Sequence, residues 1–206
     1  KEPDGIVEEN NNPTLQRANS LKRIELSYDE HFNAIKDADD DDFIMLSDND
    51  EIPNLDSEDF KKNKNDIVIF NQLFFYFKFN LLYDRMLWPG TKGCRKKNLK
   101  SFSWLRNIKF KKYPIWRIDT YFSNTKYSNL NIINDGGWHF TNLKSPEDMF
   151  EKFMNFGHHD EFKLSGITVD KIRDKISKRE MFYDHFADKS SKNKWDSDYK
   201  LKKIDT

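Results

Sequence analysis

Apolar positions in this chain gather into short, dense runs separated by acidic, basic or Asn-rich stretches. From Thr14 the spacing is helical, with Leu21, Ile24, Tyr28, Phe32 and Ile35 recurring at three- and four-residue steps. Ser27 and Glu30 have capping-box spacing, so a break near Leu26 is compatible with the pattern. After the acidic run Asp37–Asp42, the segment Phe43–Leu46 has the length of a buried strand, and Pro53 is expected to end regular pairing beyond it. Residues Asp56–Lys64 fit one or two helical turns. The β-branched and aromatic run Ile67–Leu82 predicts one strand or a pair. Further short strands are expected at Ile115–Ile118 and Leu130–Ile133. A helix is well signed after Ser145: Pro146 sits at its first position, Glu147 and Asp148 fill its first turn, and Met149, Phe150, Phe153 and Met154 form its inward stripe. Thr168–Lys178 predicts a second late helix with Val169, Ile172 and Ile176 inward. The pattern describes an α/β fold, a mixed sheet flanked by helices, as one domain over residues 14–186. Residues 1–13 read as a loop and 187–206 as a loose tail.

Composition narrows the partners. The chain has 206 residues, a formal net charge of zero, 34% charged and 15% aromatic residues. That aromatic content is enough for a real core, and a neutral chain gives no global attraction to nucleic acid or anionic membrane. The basic stretch 92–112 interleaves Lys92, Arg95, Lys96, Lys97, Lys100, Arg106, Lys109, Lys111 and Lys112 with Phe102, Trp104 and Phe110. It admits three readings: a solvated rim over buried aromatics, cations that meet a diphosphate, or a single-stranded nucleic-acid surface. The neutral balance and the lack of a nucleic-acid motif weigh against the last. Cys94 is the one cysteine, so no internal disulfide forms and a reducing, cytoplasmic setting is expected, free or peripheral to a membrane. No apolar run approaches the roughly 20 residues of a membrane span.

The chemistry concentrates where the first strand ends. Ser47-Asp48-Asn49-Asp50-Glu51-Ile52-Pro53 places carboxylates at the C-terminal end of a buried run, where open α/β sheets bind ligands. On an extended backbone Asp48 and Asp50 point to one side, and two hard oxygen ligands there suit Mg²⁺ or Mn²⁺ with a substrate phosphate. Glu51 is expected to orient that turn. A second phrase, Gly136-Gly137-Trp138-His139-Phe140, has a Gly pair suited to a tight turn or a close backbone approach. His139 is a candidate third metal ligand. The adjacent His158 and His159 raise a separate metal site as a weaker alternative.

These phrases resemble glycosyltransferase family 17, the family of the bisecting β-1,4-mannosyl-glycoprotein N-acetylglucosaminyltransferase. The resemblance extends over residues 15–182 through Tyr76-Phe77-Lys78-Phe79-Asn80, Trp88-Pro89-Gly90-Thr91-Lys92 and the segment His158–Phe162. It implies a GT-A-like fold and inverting transfer of N-acetylglucosamine from UDP-N-acetylglucosamine to a glycan acceptor. It further implies a Mn²⁺ or Mg²⁺ ion on Asp48, Asp50 and His139, and donor contacts from Asp48, Gly137 and Trp138. Inversion needs a general base, for which Glu161, Asp160 and Asp135 are the candidates in that order. The family's first strand and nucleotide-binding segment are expected to be missing before residue 15. The rival readings are a non-catalytic glycan- or nucleotide-binding module of the same fold and a nucleic-acid-associated protein. Nothing in the sequence fixes the oligomeric state.

Overall fold

A computed structural model describes residues 2–8, 12–155, 159–187 and 192–205. In chain order the elements are helix α1 (Pro13–Asp29), strands β1 (Phe43–Leu46) and β2 (Glu51–Pro53), helix α2 (Glu58–Lys61), and strands β3 (Ile67–Tyr76), β4 (Leu81–Leu82) and β5 (Trp88–Arg95). They are followed by helix α3 (Phe102–Asn107), strands β6 (Leu130–Ile133) and β7 (Gly137–Thr141), helices α4 (Pro146–Asn155), α5 (His159–Ser165) and α6 (Val169–Lys178), and strand β8 (Lys202–Lys203). The architecture is mixed α/β with a mixed sheet. The chain divides into two compact units, residues 1–73 with 87–139 and residues 74–86 with 140–206, where one domain over 14–186 is expected from the sequence.

In the first unit β3 is the hub. It pairs antiparallel with β5 and parallel with β6, while β5 pairs antiparallel with β1. The continuous apolar run of β3 reflects burial on both faces. Ile67 and Ile69 join Ile44, Leu46, Leu105 and Ile108 in one cluster, and Val68 and Phe70 join Ile133, Phe43 and Phe60 in the other. The period-two alternation thus delivers successive residues to opposite layers. Helix α1 runs unbroken past Leu26, capped at its start by the Asn12 side chain. The strand expected at Ile115–Ile118 does not form. Pro114 and Arg117 begin a series of tight turns there, and the apolar side chains point to solvent.

In the second unit the end of β3 pairs with β4, which pairs with β8. Ser145 Oγ accepts from the Asp148 N–H, as expected of its N-cap, and Thr168 Oγ1 caps the second late helix by accepting from the Lys171 N–H. The stretch expected to be a loose tail packs instead. Trp195 and Leu201 are buried, Trp195 meets Phe153, Phe162 and Phe182 edge-on or stacked, and the Leu201 N–H donates to Arg179 O. Two large apolar anchors outweigh the polar composition around them.

Candidate functional site

Strand β1 ends at Leu46 and the chain turns at once. The Glu51 N–H donates to Asp48 O at 3.1 Å, closing a turn over Asp48–Glu51. The extended backbone assumed for Asp48 and Asp50 is therefore corrected: a turn swings them apart. Asp48 Oδ1 accepts from Arg106 Nη1 at 2.6 Å, whereas Asp50 Oδ1 lies 3.7 Å from His139 Nδ1. Glu51 locks the turn from inside. Its Oε2 accepts from the Asp48 N–H at 3.1 Å and its Oε1 from Trp88 Nε1 at 2.9 Å, tying β1's exit to β5. Burial pushes the Glu51 carboxyl above the ordinary range, against the pull of those two donors.

Beyond the turn, β2 pairs antiparallel with β7, setting Glu51 opposite His139, Ile52 opposite Trp138 and Pro53 opposite Gly137. The two phrases singled out from the sequence are thus hydrogen-bonded neighbours. The third, on β5, closes the group: the Trp88 ring stacks on buried His139 with centroids 4.6 Å apart and planes 12° from parallel. Gly137 has φ +101°, and a Cβ there would fall 2.1 Å from Ile52 O.

A cavity of about 160 Å³ opens in this unit, lined by Asp48, Glu51, Trp88, Gly90, Lys92 and Arg106 among others. Gly90 keeps one wall thin. A Cβ on it would fall 2.0 Å from Oε1 of Gln72, a fully buried side chain that donates from Nε2 to Thr91 Oγ1 at 3.4 Å. Thr91 Oγ1 in turn shares a 2.6 Å hydrogen bond with Ser47 Oγ. Lys92 Nζ donates to the carbonyls of Arg106 and Ile108, the latter at 2.8 Å, which leaves the third ammonium proton for the cavity. Burial, reinforced by the Arg106 charge, brings Lys92 down to about 8. Arg106 lies over the Tyr28 ring at 5.5 Å. For Arg106, burial opposes the charge and the bond to Asp48 more than offsets it, so the guanidinium stays charged.

Lys92 yields a two-sided pH prediction. Its folded value lies below its unfolded one, so below pH 8 both states are protonated and the fold carries the full burial penalty. Between about 8 and 10.5 the unfolded chain binds more protons, and this group's contribution to stability rises with pH. Anion binding moves the other way. Pyrophosphate affinity, measured by titration calorimetry, is expected to fall as pH rises through about 8, and Lys92→Met is expected to abolish that trend. Affinity that stays flat in the unaltered chain would remove Lys92 from the anion site.

No family model matches this chain, and neither a curated protein nor a solved structure matches it.

The remaining candidates distribute as follows. Trp138 is part-exposed on β7 beside Ile52. Asp135, in the first unit, accepts from Asn54 Nδ2 at 2.9 Å. Glu161 belongs to the second unit, where its Oε2 accepts from Lys194 Nζ at 2.6 Å beside a cavity of about 200 Å³. Burial works against the Lys194 charge, but Glu161 and Tyr183 more than restore it. The side chain of Asp160, like that of His159, lies outside the described residues, as does His158 altogether. Among the described residues no group of three or more His, Cys, Asp or Glu side chains could hold a metal, so Asp48, Asp50 and His139 do not form a shared ligand set. Asp50 and His139 remain a side-by-side oxygen and nitrogen pair. The Oδ1 of Asp50 and the Nδ1 of His139 are 3.7 Å apart, and an imidazole–carboxylate pair is better suited to Mn²⁺ than to Mg²⁺, which takes oxygen ligands. Cys94 is buried and burial pushes its thiol up to about 11, which leaves it unreactive. Gln72 was not legible as a site residue, because within the run Ile67–Tyr76 it is one polar position in an apolar strand. Arg106 is visible only as a member of the basic stretch, and Lys92 also as the last residue of the Trp88–Lys92 phrase. No helix among the described residues is long and apolar enough to cross a membrane.

Proposed function

We propose that this chain is a metal-dependent inverting glycosyltransferase of the family 17 type with a GT-A-like fold, moving N-acetylglucosamine from UDP-N-acetylglucosamine to a glycan acceptor. One observation carries the reading. Three phrases far apart in sequence meet: Ser47–Pro53 and Trp88–Lys92 line one polar cavity, and Gly137–His139 joins them through the β2–β7 ladder and the Trp88–His139 stack.

The residues suit the charge changes of sugar transfer. A departing diphosphate gains negative charge, and Lys92 and Arg106 face the cavity as donors for it. Asp50 and His139 are the residues that would hold Mn²⁺ or Mg²⁺, and when bound such an ion neutralises the same developing charge. Trp88 and Trp138 supply aromatic surface for a sugar ring or base. The acceptor hydroxyl needs a carboxylate base on the opposite face of the sugar, and of the expected candidates Asp135 is the one in the same unit as the cavity, while Glu161 is engaged by Lys194 in the second unit. A nucleotide- or glycan-binding module is the second reading. It is favoured by the Asp48–Arg106 bond, which occupies the first carboxylate of the acidic turn.

Release of UDP from UDP-N-acetylglucosamine in the presence of Mn²⁺ tests the enzyme reading without a known acceptor. Slow donor hydrolysis by the chain, lost in Asp50→Asn, is expected. UDP binding without any UDP release, across a panel of glycan acceptors, would leave the binding module in its place.

A further inference from the structure

The segment 113–127 lies in the first unit, outside the cavity, and its apolar side chains are turned outward. Ile115 is 71% exposed, Trp116 83%, Ile118 72%, Tyr121 69% and Phe122 86%. Large apolar residues exposed singly are ordinary, but five within eight consecutive positions mark an interaction surface. The segment is also built, not frayed. Its ends are tied by Lys109 N–H to Thr125 O at 2.8 Å and Tyr113 N–H to Tyr127 O at 3.4 Å. Inside it, the Thr120 hydroxyl donates to Arg117 O at 2.7 Å and the Tyr121 hydroxyl to Ile115 O at 3.1 Å. Tyr113 is buried beneath, with Lys111 and Arg117 over its ring at 5.7 and 5.2 Å. This is a compact surface loop whose own contacts hold its apolar tips outward.

Charge identifies the partner. Residues 109–127 carry Lys109, Lys111, Lys112, Arg117 and Lys126 against one carboxylate, Asp119, which is itself paired with Arg117 and Lys126. The rest of the neutral chain holds the balancing acid, so the positive field is local. Trp and Tyr beside Ile and Phe, ringed by Lys and Arg, are the side chains that settle at the boundary between headgroups and acyl chains. A groove at the base of the loop, lined by Lys112, Tyr113, Trp116, Ser128 and Asn129 among others, adds polar donors at headgroup depth.

We propose that the loop 113–127 is a membrane-docking element that inserts Ile115, Trp116 and Phe122 into the interface of an anionic lipid bilayer, with Lys109, Lys111, Lys112 and Lys126 against the headgroups. The docking is peripheral and reversible. It does not depend on the glycosyltransferase reading, since no residue of the cavity takes part.

Co-sedimentation of the whole chain with vesicles tests it, using phosphatidylglycerol mixed with an equal part of phosphatidylcholine against phosphatidylcholine alone. The chain is expected to bind the anionic vesicles at least about tenfold better, with affinity falling as salt rises, since each cation near such a surface is worth roughly fivefold in partitioning. The double variant Trp116→Ser/Phe122→Ser touches only exposed positions. It should keep the thermal unfolding and circular dichroism of the parent and lose about tenfold or more in vesicle binding. Lys111→Glu/Lys112→Glu should lose binding to anionic vesicles alone. Parent chain left in the supernatant, or a Trp116→Ser/Phe122→Ser variant that pellets like the parent, would overturn the proposal. So would a parent chain that sediments as a dimer where the same variant is a monomer, because the patch would then be a self-interface.

Discussion

Gly137→Ala is expected to cost about 3–5 kcal/mol of folding stability, combining a left-handed backbone strain with overpacking. Both parts are read at one residue. The φ of +101° lies where an L side chain is strained, and the added methyl would sit 2.1 Å from Ile52 O and 2.7 Å from Asn54 N. Neither atom can yield cheaply, because Ile52 belongs to the backbone that pairs β2 with β7 and the Asn54 N–H donates to Gly136 O just beyond it. Urea unfolding followed by tryptophan fluorescence measures the loss. A shift below about 1 kcal/mol would mean that the β2–β7 ladder is not the rigid seam described here.

Glu51→Ala is expected to cost about 2–4 kcal/mol and to blunt ligand binding in the cavity. It strips a part-buried carboxylate from two donors, the Trp88 indole N–H and the Asp48 N–H. With that clasp gone, Trp88 is no longer held over His139 and the Asp48–Glu51 turn loses its inner support. Glu51→Gln keeps one acceptor oxygen and sheds the burial penalty on the charge, so a loss of only about 1 kcal/mol is expected, with the Trp88 emission close to the parent's. Equal losses for the two variants would show that one amide oxygen does not replace the carboxylate and that both acceptor oxygens are needed.

The two outcomes differ because of how the site is built, and the same difference explains what the sequence reveals. The strands Phe43–Leu46, Ile67–Tyr76 and Leu130–Ile133 are legible, because burial on one or both faces writes itself as short apolar runs. The helix after Ser145 is legible through its cap, and the helix after Thr168 through its apolar stripe. The acidic turn and the Gly-Gly-Trp-His phrase stand out as unusual local chemistry. What joins them does not. The Arg106–Asp48 and Trp88–Glu51 bonds link positions 58 and 37 residues apart, and no local pattern encodes such a partner. The parallel reach of Asp48 and Asp50 fails as an expectation, because a hydrogen-bonded turn replaces the extended backbone it assumes. Ile115–Ile118 misleads for the opposite reason: its apolar side chains speak for a strand, yet they face solvent and Pro114 begins a turn. The C-terminal stretch reads as loose because Lys and Asp dominate it, while Trp195 and Leu201 are enough to seat it.

The central proposal is a donor site at the cavity at the end of β1, assisted by a metal ion on the neighbouring Asp50 and His139. A thermal-shift titration with UDP, with and without Mn²⁺, on the parent chain and on Asp50→Asn, tests it most directly. Ligand at about a hundred times its dissociation constant adds roughly 2.7 kcal/mol. The account predicts that UDP raises the unfolding temperature only with Mn²⁺ present and only while Asp50 is intact. An equal shift in Asp50→Asn, or no shift in the parent at saturating UDP and Mn²⁺, would contradict it.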